Sequence, residues 1–287
     1  MAAAVAAAVG AAAVEMKKDR FGIGWRPQLA AGIFANLDKI DIVEVIADDY
    51  FDASSRKILA LRTLAAQTPV TLHGVGLGPA STVPVETKRI DQFARLIGMI
   101  EPESWSEHLA WVRGGGLDIG HLASPPRNSA SVNGTLENLH AAAKIVGTPP
   151  LVENIASLID PPLSTLTEAQ WLSQVMQHSA GGLLLDLHNV YTNATNFGFD
   201  PYQFLDSIPL QQIGSIHIAG GRPIEDRILD DHLHDVPDPV YDLLRYVAAR
   251  TDKPLTVILE RDGKYPPIAS LLAQLEQARE AVRRGRV

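Results

Sequence analysis

Short hydrophobic runs alternate with longer amphipathic segments along most of the chain. The runs are continuous and rich in β-branched residues, as in strands that are covered on both faces. They predict eight strands, near residues 21–24, 42–47, 69–73, 104–109, 150–154, 183–187, 213–218 and 254–260. The segments between them predict helices at 54–67, 86–100, 135–147, 167–179, 200–207, 238–252 and 266–284. Thr135 with Asn138, and Thr167 ahead of Gln170, are typical of helix starts.

Strict alternation of strands and helices favours a single (β/α)8 TIM barrel. The chain of 287 residues suits that fold, which commonly has about 250 residues. A doubly wound open sheet is the alternative, but no G-x-G-x-x-G motif or Walker loop follows the first strand. We expect residues 16–287 to form the barrel. Residues 1–15 are Ala-rich and are expected to be a disordered tail. Because they lack the positive region of a secretory signal, the cytoplasm is the expected location.

Six of the predicted strands end in a residue that can bind a metal ion: His73, Glu107, Glu153, Asp186, His217 and Glu260. A TIM barrel brings all carboxyl ends of its strands to one face. Glu153 and Asp186 follow almost wholly apolar strands, where a carboxylate is costly to bury unless it is paired or bound to a cation. The longer connections, 109–134, 155–166, 188–200 and 219–237, are expected to build a pocket on that face.

Further candidate ligands flank these six. Glu107 and His108 are adjacent and point to opposite faces of a strand, so we expect Glu107 to reach the centre and His108 to line the pocket. Asp230 and His232 could bind one ion from a loop, and Asn189 is a weaker candidate near Asp186, as is His188. These ligands are too many for one ion. They predict two or three ions, with neighbouring ions about 3.5–4 Å apart and bridged by carboxylates.

The amino-acid composition limits which metal ions and which classes of function are compatible with the chain. The chain has no cysteine, which excludes thiolate ligands, and histidine with carboxylate suits Fe(II) and Mn, with Zn as a further option. The net charge of -8 argues against a dedicated nucleic-acid binder. No apolar run approaches the roughly 20 residues of a membrane span.

The chain resembles the family of multinuclear non-heme iron-dependent oxidases of the methanobactin-biosynthesis type. These are peptide-modifying enzymes with a xylose-isomerase-like barrel. The matching stretches run through nearly the whole chain: GIGWR (22–26), VEVIADDY (43–50), LHGVGL (72–77), SEHLAW (106–111), LVEN (151–154), LLLDLHNVYTNATNFGFDP (183–201), IHIAGG (216–221), DDHLHDVPDPV (230–240) and ILERD (258–262).

The resemblance implies two or three irons in mixed Fe(II)/Fe(III) states, with O2 as co-substrate. It implies oxidation of a cysteine or C-terminal aspartate in a ribosomally synthesised precursor peptide, and a separate protein that recognises the peptide. The family's ligands fall on His73, Glu107, Glu153, Asp186, Asn189, His217, Asp230, His232 and Glu260. At the position of Asn189 some members of the family have His. The chain departs from the family pattern at Asp48 and Asp49, where Glu-Asn is frequent, and at His188, where Asn is common.

Three other functions fit the same pattern of residues. A sugar isomerase or epimerase would use Mn or Mg without O2, and a zinc phosphodiesterase like endonuclease IV would need a basic surface. A metal-binding barrel without catalytic activity is the third. Arg222, beside the IHIAGG turn, is a candidate for binding a substrate carboxylate, or else an ordinary surface arginine.

Overall fold

Twelve β-strands lie among the described residues, and eight of them run parallel and close into a barrel. The structure is a computed structural model that describes residues 18–287, so the predicted tail lies outside the described residues. The barrel strands are β1 (Arg20–Gly24), β2 (Ile42–Ile46), β3 (Val70–Gly74), β4 (Trp105–His108), β7 (Leu151–Glu153), β8 (Leu183–Asp186), β9 (Ile213–Ile218) and β12 (Thr256–Leu259). Around the barrel their order is β1-β12-β9-β8-β7-β4-β3-β2. The prediction of a (β/α)8 barrel is confirmed.

Two β-hairpins are inserted in connections that follow barrel strands. The first consists of β5 (Trp111–Gly114) and β6 (Leu117–Ala123), and the second of β10 (Arg222–Ile224) and β11 (Arg227–Leu229). Both lie within long connections that the sequence analysis assigns to the pocket. The hairpins therefore extend the face of the barrel where the strands end.

Nine α-helices lie in residues 18–287. They are α1 (Ala30–Phe34), α2 (Ser55–Ala65), α3 (Thr87–Ile100), α4 (Ser129–Val146), α5 (Glu168–His178), α6 (Leu187–Phe197), α7 (Pro201–Asp206), α8 (Asp238–Ala248) and α9 (Ile268–Gly285). Short 3-10 turns occupy Pro27–Leu29, Ala47–Tyr50 and Leu210–Gln212. In this part of the chain no helix is long and apolar enough to cross a membrane.

The start predicted for helix α4 is wrong. The helix begins six residues earlier, because Asn128 and Ser131 form a reciprocal capping box. Asn138 lies in the middle of the helix, where its amide oxygen accepts from the Val85 N–H at 3.0 Å. The start predicted at Thr167 is confirmed, since its side chain accepts from the N–H of Gln170.

Helix α6 occupies a segment expected to be a loop. Its Asn- and Thr-rich sequence has modest helix propensity. Asp186 caps it, with Oδ1 accepting the N–H of Asn189 at 2.7 Å. The helix therefore begins directly at the end of β8, and this places His188 and Asn189 in its first turn.

The barrel strands separate two environments. Apolar residues such as Val43, Leu72 and Ile216 belong to the main hydrophobic core together with residues of the surrounding helices. Because side chains alternate along a strand, their neighbours Glu44, His73 and His217 point to the opposite face. The same alternation applies to Val152 with Glu153, Leu185 with Asp186 and Leu259 with Glu260. The polar side chains therefore converge inside the barrel.

Candidate metal centre

Glu153, at the end of β7, lies among three histidines. Its Oε2 is 3.3 Å from His73 Nε2 and 3.4 Å from His108 Nε2. Its Oε1 is 3.3 Å from His217 Nδ1. Glu153 is only 1% exposed. The two oxygens of one buried carboxylate thus face different imidazoles, as expected of a carboxylate that bridges two ions.

His217, on β9, lies close to two further carboxylates. Its Nε2 is 2.9 Å from Glu44 Oε1 and its Nδ1 is 3.1 Å from Glu260 Oε2. Glu44 is not among the predicted ligands, because this residue lies inside a strand instead of at its end. A glutamate within the apolar run IVEVI is the signal that would have identified it.

A third group lies above the barrel strands. Asp230 Oδ1 is 2.9 Å from His188 Nδ1 and 2.8 Å from His232 Nε2. His232 Nδ1 is 3.5 Å from Glu260 Oε2, which joins this group to the deeper carboxylates. The expected pair Asp230 and His232 is therefore brought together, and His188 completes it from helix α6.

The candidate ligands form four sets, in each of which one ligand atom per residue lies within 4.8 Å of the others, and three of these sets share residues. His73, His217, Glu153 and Glu260 each belong to two of them. The sets are His73–His108–Glu153, His73–His217–Glu260, Glu153–Asp186–His217–Glu260 and His188–Asp230–His232.

Unpaired polar atoms are concentrated in this centre. In residues 18–287, twelve buried side-chain N and O atoms make no hydrogen bond of suitable geometry, and eight of them belong to this centre, some despite a short distance to a neighbouring ligand. They are Glu44 Oε2, Glu153 Oε2, Asp186 Oδ2, His188 Nε2, Asn189 Oδ1, both ring nitrogens of His217 and His232 Nε2. Each such atom costs about 1–3 kcal/mol unless it is satisfied. Cations with N and O ligands would satisfy them, so the residues fit a metal centre.

Burial and crowding of charge shift the pKa values of these groups in opposite directions. Burial raises the pKa of Asp186 well above its usual value, and the charges of Glu153 and Asp230 raise it further. Burial lowers the pKa of His73 well below its usual value, helped by the nearby His108. For His217, burial is outweighed by the carboxylates of Glu260, Glu44 and Glu153, so its pKa is raised.

His108 takes the place that the sequence analysis expects for Glu107. Glu107 points away from the other ligands, and its two oxygens accept the N–H groups of Leu77 at 3.2 Å and His108 at 2.9 Å. It shares its side of β4 with Trp105, which belongs to the outer core. His108 instead approaches Glu153, and its pKa is raised to about 9 because the nearby carboxylates outweigh burial. The apolar Trp105 is the signal that indicates this orientation.

Other side chains and backbone groups orient the candidate ligands. His73 Nδ1 is 2.8 Å from Ser106 Oγ, and His108 Nδ1 is 3.0 Å from the carbonyl oxygen of Gly74. These contacts turn the Nε2 atom of each ring toward Glu153. Metal-binding histidines commonly use such contacts to set the tautomer and the ring orientation.

His232 and Asn189 are oriented in the same manner. His232 Nδ1 is 3.2 Å from Asp262 Oδ2, and Asp262 accepts from the Arg26 guanidinium. Asn189 Nδ2 donates to the carbonyl oxygen of Asn154 at 3.0 Å, so its Oδ1 remains available as a ligand.

A cavity of about 390 Å³ opens beside the centre, with Asn189, Asp230, His108 and His232 in its lining. Arg222, the candidate for binding substrate, is not in that lining. It lies on the outer hairpin with its side chain 54% exposed, and its Nε is 3.9 Å from Asp231 Oδ2. The hairpin carries Arg222 toward solvent, so the structure does not bring it to the pocket.

Solved structures share the fold. D-psicose 3-epimerase from Clostridium cellulolyticum H10 aligns over 92% of this chain and 98% of its own, with a TM-score of 0.58 and 13% identity. Endonuclease IV from Thermus thermophilus aligns over 91% of this chain and 99% of its own, with a TM-score of 0.58 and 14% identity. At these identities the likeness shows the barrel fold alone.

Sequence relatives cover nearly all of the chain. A UPF0276 protein of Streptomyces avermitilis is 34% identical over 271 residues, which are 92% of this chain and 55% of that protein. The chain therefore spans about half the length of this relative. A UPF0276 protein of Caulobacter vibrioides is 30% identical over 269 residues, 93% of this chain and 96% of that protein. The sequence profile of the RiPP precursor modification enzymes MbnB/TglH/ChrH matches residues 20–283. The chain therefore belongs to the MbnB/TglH/ChrH family of RiPP precursor modification enzymes.

Proposed function

We propose that the protein is a multinuclear non-heme iron oxidase that uses O2 to modify a cysteine or a C-terminal aspartate of a ribosomally synthesised precursor peptide. The single observation that carries this proposal is the overlap of the ligand sets, in which Glu153 faces three histidines at 3.3–3.4 Å. One ion cannot use all these ligands at once. Two or three irons, in mixed Fe(II)/Fe(III) states, would share them.

Bound iron would supply redox chemistry with O2 and a Lewis-acidic position for a substrate thiolate or carboxylate. The deeper ions would be held by His73, His217, Glu153 and Glu260. The carboxylates of Asp186 and Glu44 would add negative charge that offsets the charge of these ions. His188, Asp230 and His232 would hold the outermost ion, next to the cavity. Asn189 would be an additional oxygen ligand. The protein's part is to orient these ligands and to exclude water.

The cavity favours a peptide over a sugar. Most of its lining is apolar, with Ile119, Leu122, Ile155, Leu158 and Ile228 among the walls, and away from the candidate ligands its hydrogen-bonding side chains are His121, Ser124, Ser157 and Thr192. A sugar isomerase or epimerase, the alternative function, needs polar groups that position the sugar hydroxyls. A separate protein that recognises the precursor is part of our proposal, as is action in the cytoplasm, where such precursors are made.

The test is a reaction with the short peptides encoded beside the gene. Protein loaded with Fe(II) under anaerobic conditions is mixed with each peptide and exposed to O2, and the peptide mass and O2 consumption are recorded. We expect an O2-dependent mass change in one peptide, absent in the Glu153→Gln variant. An O2-independent epimerisation of a ketose, with no change in any peptide, would contradict the proposal.

A further inference from the structure

Exposed apolar side chains are concentrated around the opening of the barrel. In residues 18–287, twelve large hydrophobic side chains are exposed, and six of them lie on three short segments. We call these segments the rim: the β5–β6 hairpin (111–123), the loop 155–163 and the β10–β11 hairpin (222–229). The six residues are Leu117, Ile119, Leu158, Ile159, Leu163 and Ile224. Such a concentration on one surface is typical of a binding site.

The rim encloses the cavity beside the metal centre. Ile119 of the first hairpin, Leu158 of the loop and Leu229 of the second hairpin all line it. Its volume of about 390 Å³ lies within the range of small-ligand pockets, about 300–1,000 Å³. The cavity therefore has room for a short piece of a peptide chain.

Charge in the cavity is confined to one end. Among the described residues, Asp230 is the one carboxylate in the lining, and it lies among the metal-ligand candidates. No lysine or arginine of residues 18–287 lines the cavity. A charged side chain against the apolar walls would lose its hydration without gaining a partner, which is costly. The cavity thus offers one end for a residue that reaches the metal and apolar walls for its neighbour.

We propose that this cavity binds a large aliphatic or aromatic side chain of the peptide, adjacent in sequence to the residue that is modified. The inference rests on the proposed function, because the occupant must reach the metal centre. The exposed apolar side chains of the rim would contact the residues that flank this side chain. The protein would therefore select precursors with a hydrophobic residue next to the reacting one and reject those with Lys or Asp there.

Binding of labelled model peptides tests this inference. Fluorescein-labelled peptides Gly-Gly-Xaa-Cys-Gly-Gly, with Leu, Phe, Ala, Lys or Asp at Xaa, are titrated with Fe(II)-loaded and with metal-free protein under anaerobic conditions, and anisotropy gives Kd. Burial of a leucine or phenylalanine side chain predicts at least about tenfold tighter binding than alanine. Lys and Asp peptides should bind more weakly than the alanine peptide.

Matched substitutions locate the effect. Leu158→Asp and Ile159→Asp introduce a charge at rim positions that are 44% and 73% exposed. Leu59→Asp, on the outer helix α2 at 63% exposure, is the control. The rim variants should lose the preference for leucine over alanine, and the control should keep it. Circular dichroism checks that all three variants fold.

The inference is overturned if leucine and alanine peptides bind equally, if no peptide binds at millimolar concentration, or if Leu59→Asp has the same effect as the rim variants. Failure of the proposed function has a different signature. A leucine preference in a protein that retains no iron would support the cavity assignment and contradict the oxidase. An iron-loaded, O2-consuming protein without that preference would do the reverse.

Discussion

Replacement of Glu153 by glutamine should weaken metal binding in two ligand sets at once. Glutamine keeps the shape of the side chain and removes its negative charge. Since Oε2 lies between His73 and His108, and Oε1 faces His217, the lost charge affects ions on both sides of the carboxylate. The set His188–Asp230–His232 does not use Glu153 and should be affected least.

The size of the effect follows from charge and distance. Two unit charges about 4 Å apart interact by about 4 kcal/mol at an effective dielectric constant of about 20. The carboxylate oxygen of Glu153 is 3.3–3.4 Å from the imidazole nitrogens of His73 and His108. An ion between these atoms would therefore lie less than about 4 Å from the carboxylate. Tenfold in affinity corresponds to about 1.4 kcal/mol. Even if neighbouring carboxylates recover part of the loss, Kd for iron should rise by at least about a hundredfold.

Glu107→Gln is the matched control, because Glu107 is equally buried and lies beside a candidate ligand in sequence. Both variants and the unmodified protein are equilibrated anaerobically with graded Fe(II) against a competing chelator, and bound iron is counted by mass spectrometry. We expect Glu153→Gln to lose iron and Glu107→Gln to retain it. Equal loss in both variants, or full retention in Glu153→Gln, would refute the assignment of the bridging carboxylate.

Three further results are expected. Asp262→Asn, which weakens the support of His232, should lower the metal affinity of the outermost set by about 10–100-fold in chelator competition, and unchanged affinity would exclude this supporting role. Burial raises the pKa of Glu168 to about 7 from its usual 4.5 and outweighs the effects of Arg127 and of the hydrogen bond from Asn193. The contribution of Glu168 to the free energy of unfolding is therefore fully present below about pH 4.5 and is lost as the pH rises through about 7. Glu168→Gln should therefore raise that free energy by about 1–3 kcal/mol at pH 8 and little at pH 4.5 in urea titrations, and no gain at pH 8 would contradict the shift. Iron at a hundredfold excess over Kd should raise Tm by about 5–10 °C in calorimetry, and a Tm unaffected by chelator would argue against a structured metal site.

The barrel was predictable because each of its strands leaves an apolar run in the sequence. The strand-end ligands Glu153, Asp186 and Glu260 were predictable for the same reason, since each ends such a run. Their convergence follows from the fold, in which all parallel strands end at one face.

Other parts of the centre depend on tertiary structure. Glu44 lies within a strand, and only closure of the barrel brings it within 2.9 Å of His217. His188 reaches Asp230 because helix α6 forms in a segment of modest helix propensity, capped by Asp186. His108 reaches the centre in place of Glu107 because side chains alternate along β4. Trp105, two residues before Glu107, points to the same side as Glu107 and is buried against Phe93 of helix α3.

The most direct test of the central claim is the number and state of the irons in the intact protein. Protein reconstituted anaerobically with ⁵⁷Fe(II), partly oxidised and freed of loosely bound metal is examined by Mössbauer spectroscopy, with total iron counted per chain. The overlapping ligand sets predict at least two irons per chain, with spectra of magnetically coupled Fe(II) and Fe(III). A single iron, or iron that is displaced completely by one equivalent of zinc, would contradict a multinuclear iron centre.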